Sequence, residues 1–202
     1  MERRGLGAAA LAAAAALGVA AVTSRGKLRE LDDRLFKRVN RDRGATADRV
    51  FDRVTDLGSY WAALGGSAAI AATGRRRAAA DALAAASGAW LLGQGMKKLF
   101  GRARPYDAMT EMRLLVGRQM GTSWPSSHPL VFTAFATVVA RDLEVGRGGR
   151  AALGGLSGLV GYSRVHVGVH YPSDVVGGIL LGRAFGRAWS ALVSPVLTRN
   201  GR

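Results

Sequence analysis

Six runs of Ala, Gly, Leu and Val, at 5–22, 58–73, 78–96, 128–140, 151–162 and 175–197, are separated by short, strongly basic patches. Such runs bury themselves against one another or in lipid. Several are shorter than the twenty or so residues that span a bilayer, which predicts tight packing, with polar ends continuing as helix beyond the apolar part. Small residues dominate, and Gly154, Gly155, Gly158, Gly177, Gly178 and Gly182 would let helix backbones approach closely. A mean hydropathy of +0.09 averages two kinds of segment. The pattern predicts an all-α fold: an integral membrane helical bundle with about six transmembrane helices.

With 29 Lys and Arg against 14 Asp and Glu, the formal net charge is +15. Nucleic-acid binding would interleave these cations with polar and aromatic residues on one solvated face. Here much of the charge flanks apolar spans, as cytoplasmic loops do, so no nucleic-acid partner is expected. The absence of cysteine excludes disulfides, thiolate metal sites and a cysteine nucleophile, and fixes no compartment. With the N-terminus inside, the basic connections at 74–77 and 141–150 and the tail at 199–202 are cytoplasmic. Segments 97–124 and 163–173 then share the opposite face of the cell membrane.

Two domains are expected. Residues 1–57 open with a basic stretch and an apolar run long enough to span; a cleaved signal peptide shares that opening, and the length of the run favours a retained helix. Within 25–56, Leu28, Leu31, Leu35, Val39, Val50, Phe51 and Val54 mostly recur at three and four, giving one apolar helical face. That segment would lie on the membrane surface or beside the bundle, and a solvated charged hairpin fits the same pattern. Residues 58–198 form the second domain.

Three segments at the ends of apolar runs carry chemistry. A phosphate monoester needs several fixed donors for the charge its transition state spreads over three oxygens. Lys97, Arg104 and Arg164 are cations of the right kind, although Lys97, Lys98, Arg102 and Arg104 taken alone also read as a basic helix end at an interface. Ser126 or Ser127 suits the cap of the helix that follows, with Pro129 in its first turn and free amides that attract phosphate. His128, beside that cap, can protonate a leaving alkoxide. His170 can attack phosphorus if one ring nitrogen is unprotonated and Asp174, four residues on, holds the other. A structural His–Asp pair is the alternative, but ionisable groups beside membrane spans are functional by default. His166 and His170, at i and i+4, lack an adjacent Glu, a further His and any Cys, so no metal site is expected, and His166 reads as a packing or supporting residue.

These segments resemble the type 2 phosphatidic acid phosphatase superfamily, whose pattern is Lys-x6-Arg-Pro, Pro-Ser-x-His and Ser-Arg-x5-His-x3-Asp. Here they are Lys97 to Pro105, Pro125 to His128 and Ser163 to Asp174, and the helix arrangement extends the likeness over about 58–195. One position departs, with Ser127 where Gly is common; it narrows the backbone angles but keeps the amide. The resemblance implies that Lys97, Arg104, Ser126, Ser127 and Arg164 bind phosphate, His128 protonates the leaving group, His170 forms a phosphohistidine and Asp174 orients it, without a cofactor. It implies a membrane enzyme acting on a lipid phosphate or diphosphate, such as a polyprenyl carrier or a phosphoglycerolipid. Phosphotransfer to another acceptor and non-catalytic binding of anionic headgroups are the competing functions. The vanadate-binding haloperoxidases share the pocket but are larger soluble proteins.

Overall fold

The computed structural model describes residues 2–23 and 26–192. Its regular structure is helical throughout: α1 (Glu2–Thr23), α2 (Gly26–Val39), α3 (Ala45–Asp56), α4 (Tyr60–Ala72), α5 (Arg76–Phe100), α6 (Pro105–Ala108), α7 (Ser127–Asp142), α8 (Arg147–His166) and α9 (Pro172–Leu192). The six apolar runs become α1, α4, α5, α7, α8 and α9. The end of the last run at 193–197, the domain limit at 198 and the basic tail at 199–202 lie outside the described residues.

At the centre, α7 and α9 lie along each other, with α1 on α9, α5 on α7, α4 on α5, and α8 against both α7 and α9. The core between them is built from small side chains around a few larger ones: Ala16, Ala86, Ala89 and Ala134 against Trp124, Leu130 and Leu181. Small residues let backbones meet. A Cβ placed on Gly178 of α9 would come within 2.4 Å of the Ser126 carbonyl oxygen, so only glycine permits α9 to rest against the start of α7. That contact fixes the Ser126–His128 segment relative to Asp174.

Helices form where the apolar runs predict. Among the described residues, no helix is long and apolar enough to cross a membrane. Helices α4 and α7 have only 13 and 16 residues, and α9 carries Arg183 and Arg187 within its apolar run.

Residues 26–56 pack beside the bundle as two helices, and the leucines of α2 are not the residues they bury. Leu28, Leu31 and Leu35 remain 42–46% exposed, whereas Asp32, Phe36 and Asn40, spaced at four on the adjacent face, are buried. Phe36 packs on Tyr171 with ring centroids 5.7 Å apart, and α3 packs Phe51, its ring tilted, against Tyr162 and His166 of α8. Polar contacts to Asp32 and Asn40 set this orientation.

Candidate active site

Helix α5 ends at Gly101, whose φ of 55° is in the left-handed region, and Lys97 is buried in its last turn. The chain then runs extended into Arg104, held at φ −78° and ψ 160° as a residue before proline must be. The Arg104 guanidinium is buried. It donates from Nε to the Gly121 carbonyl at 2.9 Å, from Nη2 to the Met120 carbonyl at 3.2 Å and from Nη1 to the Val169 carbonyl at 3.0 Å. The same Nη1 faces His170 Nε2 at 3.3 Å. Arg104 thus clamps the 120–121 loop to the turn between α8 and α9.

That contact fixes the tautomer of His170. A guanidinium can only donate, so Nε2 is the accepting, unprotonated nitrogen and the ring proton sits on Nδ1. Nδ1 in turn faces Asp174 Oδ2 at 3.5 Å. Burial first, and then the charges of Arg104, Arg164 and Lys97, hold the His170 imidazole well below its ordinary value of 6.5. The ring is therefore neutral at pH 7, with a lone pair on Nε2.

Asp174, the third residue of α9, is fully buried and heavily partnered. Its Oδ2 accepts from Ser123 Oγ at 2.5 Å and from the Tyr171 amide at 2.9 Å, and its Oδ1 accepts from Arg102 Nη1 at 2.7 Å. Its carbonyl accepts the Ser126 amide at 3.0 Å, joining the second and third motifs directly.

Ser126 occupies the cap position of α7, but contrary to the capping reading its hydroxyl bonds no helix amide. The Oγ atoms of both Ser126 and Ser127 are buried without a partner, as is Arg164 Nε. Leaving a buried donor unpaired costs about 1–3 kcal/mol. His128, the second residue of α7, is half-buried and is backed by Gly58, where a Cβ would lie 2.6 Å from its own. Arg164 sits in the last turn of α8 and donates from Nη1 to Thr55 Oγ1 at 2.7 Å. The Arg104 contact to His170 joins the first segment to the third and the Ser126 amide bond to the Asp174 carbonyl joins the second to it, so the three segments meet in one region.

Sequence reasoning missed two residues. Arg102 spans two buried carboxylates, with Nη1 on Asp174 and Nη2 on Asp32 Oδ2, each at 2.7 Å, and it lies 4.2 Å above the Tyr171 ring. Asp32 also accepts the Ser173 amide at 2.9 Å and its hydroxyl at 2.5 Å. Burial alone would lower the Arg102 pKa; Asp174 and Asp32 outweigh it and raise it above its ordinary value. The signal for Arg102 was its position two residues before Arg104, which read only as part of a basic helix end. For Asp32 there was no local signal. His166 lies apart from this centre: it is buried, its Nε2 is 2.9 Å from Asp48 Oδ1, and its ring packs on Phe51.

The family model described as the PAP2 superfamily matches residues 78–196, more than half of the chain. The chain belongs to the PAP2 superfamily. Among similar proteins, an undecaprenyl-diphosphatase of Sulfolobus acidocaldarius is 32% identical over 112 residues, covering 55% of this chain and 50% of that one. A lipid A 1-phosphatase of Rhizobium johnstonii is 35% identical over 119 residues, 55% of this chain and 44% of its own. The chain thus spans about half the length of the curated relatives it matches. The crystal structure of a transmembrane PAP2-type phosphatidylglycerolphosphate phosphatase from Bacillus subtilis shares the fold, with a TM-score of 0.76 at 22% identity, covering 96% of this chain and 97% of that one. All eight residues that the motifs select fall inside the PAP2 match. Asp32 and Thr55, which hold Arg102 and Arg164, fall outside it.

Proposed function

We propose that this PAP2 protein is an integral membrane lipid phosphatase that cleaves a phosphate or diphosphate ester through a phosphohistidine on His170. The observation that carries the reading is a buried, neutral His170 with Nε2 accepting beside Arg104 and Nδ1 turned to Asp174. In the first step the Nε2 lone pair attacks phosphorus, the P–O bond to the leaving oxygen breaks, an ester bond in a monophosphate or an anhydride bond in a diphosphate, and His128 delivers a proton to the departing oxygen. In the second, His128 takes a proton from water, the water oxygen attacks phosphorus and the P–N bond breaks, releasing phosphate. Lys97, Arg104 and Arg164, with the unpartnered hydroxyls of Ser126 and Ser127, would hold the equatorial oxygens. Three cations suffice for that charge, so the reaction is metal-independent in this reading.

A lipid substrate is supported by the surface as well as by the names of the relatives. Trp61, Leu91 and Leu99 are 76%, 63% and 78% exposed, joined by Leu28, Leu31 and Leu35. So much exposed apolar side chain marks a surface that meets lipid or protein. In this reading the six apolar helices form the membrane bundle, with their short lengths extended by interfacial turns.

The decisive test is release of inorganic phosphate by purified protein from polyprenyl diphosphate, polyprenyl phosphate, phosphatidic acid and phosphatidylglycerophosphate. At least one lipid is expected to turn over, with full rate in chelator and inhibition by vanadate, which adopts the trigonal-bipyramidal geometry of the transition state. Activity lost in chelator and restored by a divalent ion would overturn the metal-independent mechanism.

The charge of the basic connections supports a reading in which the catalytic loops face the outer side of the membrane. Because the chain has no cysteine, single cysteines at Gly117 and Gly148 report the topology cleanly. A membrane-impermeant thiol reagent on intact cells should label the Gly117 position and spare the Gly148 position. The reverse pattern would put the substrate in the inner leaflet.

A further inference from the structure

A concavity flanks α7 from Thr133 to Arg141, and its basic end, at Arg141, lies about 20 Å from His128 at 1.5 Å per residue along that helix. It is a cleft of about 440 Å³ between α7, α8 and α9, ringed by Arg141, Arg150, Arg183 and Arg187 and walled on its apolar side by Leu153 and Ile179. The four arginines are not equivalent. Arg141 is neutralised by Asp81 and Asp142. Arg150 is held by two carbonyls, Nε on Val145 at 2.7 Å and Nη2 on Ala140 at 2.9 Å, and keeps its charge. Arg183 and Arg187, one turn apart on α9, form no ion pair among the described residues, although like charges at that spacing destabilise a helix. Thr133 Oγ1 and Ser190 Oγ, on residues that line the same cleft, are buried without partners.

We propose that this cleft binds the phosphodiester headgroup of an anionic membrane lipid, with its acyl chains along the apolar wall. Three guanidiniums without carboxylates supply the complement to a phosphate, and basic pockets between helices on the cytoplasmic side of a membrane take such headgroups. The adjoining apolar surface favours a lipid over a free anion. None of the residues that line the cleft belongs to the three motif segments. The inference rests on the membrane reading above.

The test uses the purified full chain in detergent micelles doped with phosphatidylglycerol or with phosphatidylcholine, with vanadate filling the catalytic site. Retained lipid is read by native mass spectrometry and stabilisation by thermal melting. Phosphatidylglycerol should be retained and should raise the melting temperature, and phosphatidylcholine should do neither. Arg183→Gln with Arg187→Gln should weaken phosphatidylglycerol binding about tenfold or more, the loss expected for two cations near a lipid surface. Phosphate release from detergent-dispersed substrate should not change. Arg150→Gln provides a second variant with the same readout should the double variant fail to fold. Equal retention by variant and wild type would overturn the proposal, as would displacement of the lipid by glycerol phosphate at equal concentration, which marks a free-anion site. Lipid retention without any phosphate release would sink the phosphatase reading instead, so the two fail separately.

Discussion

His170→Ala is expected to form no phosphoenzyme and to release phosphate at least about 10⁴-fold more slowly than the parent, the scale on which removal of a nucleophile acts. His128→Ala should still bind substrate but should slow cleavage about 10²- to 10⁴-fold, the usual contribution of a positioned general acid. Rapid quench with labelled substrate separates them, because only a chain that retains His170 can yield an acid-labile, base-stable phosphohistidine. A normal phosphoenzyme on His170→Ala would refute the assignment. The pH profile adds a check. Since burial and three cations lower the His170 pKa, the neutral nucleophile persists as pH falls, and the acid limb of kcat/KM for the free enzyme should lie below the ordinary histidine range of about 6.5.

Arg102→Met is expected to have the largest effect on stability. The substitution keeps the volume of the stem but leaves Asp32 and Asp174, both buried, facing one another without their shared cation. Breaking a buried pair by removing one partner costs about 3–5 kcal/mol. At about 2–4 °C per kcal/mol for a chain of this size, melting should fall by roughly 6–20 °C. Because Arg102 positions Asp174 rather than touching the phosphate, the surviving activity should show a reduced kcat with KM little changed. Arg102→Lys keeps one charge, cannot bridge both carboxylates and should fall between the two. A double-mutant cycle with Asp32→Asn should return a coupling of about 0.5–3 kcal/mol. Independent, additive effects would show that Asp32 and the catalytic carboxylate are not linked through this arginine.

Much of the candidate site was legible before any coordinates, because its chemistry is written in short spacings. His170 and Asp174 are four residues apart across a turn; Arg104 is pinned by Pro105; Ser126, Ser127 and His128 open one helix. Residue type and local geometry are enough to state what each of these groups can do. The six apolar runs likewise became the six helices of the bundle, since small apolar residues in unbroken stretches have little alternative.

The tertiary structure decided what passes between segments distant in the chain. In α2 the leucine period marked one apolar face, for the membrane surface or for the bundle; the leucines are exposed, and Asp32, Phe36 and Asn40 are the residues buried against the bundle. A carboxylate bonded to Arg102 and Ser173, with an amide on the Arg113 and His166 carbonyls, outweighs the burial of three leucines on so small a helix. The free hydroxyl of Ser126 is of the same kind: its place at the cap was local, but its lack of a bond follows from where α9 and Asp174 hold the backbone. The sequence by itself determined the candidate reacting groups and the helices that carry them. Only packing determined the Asp32–Arg102–Asp174 link, since these residues, 70 and 72 positions apart, leave no period for a sequence to show.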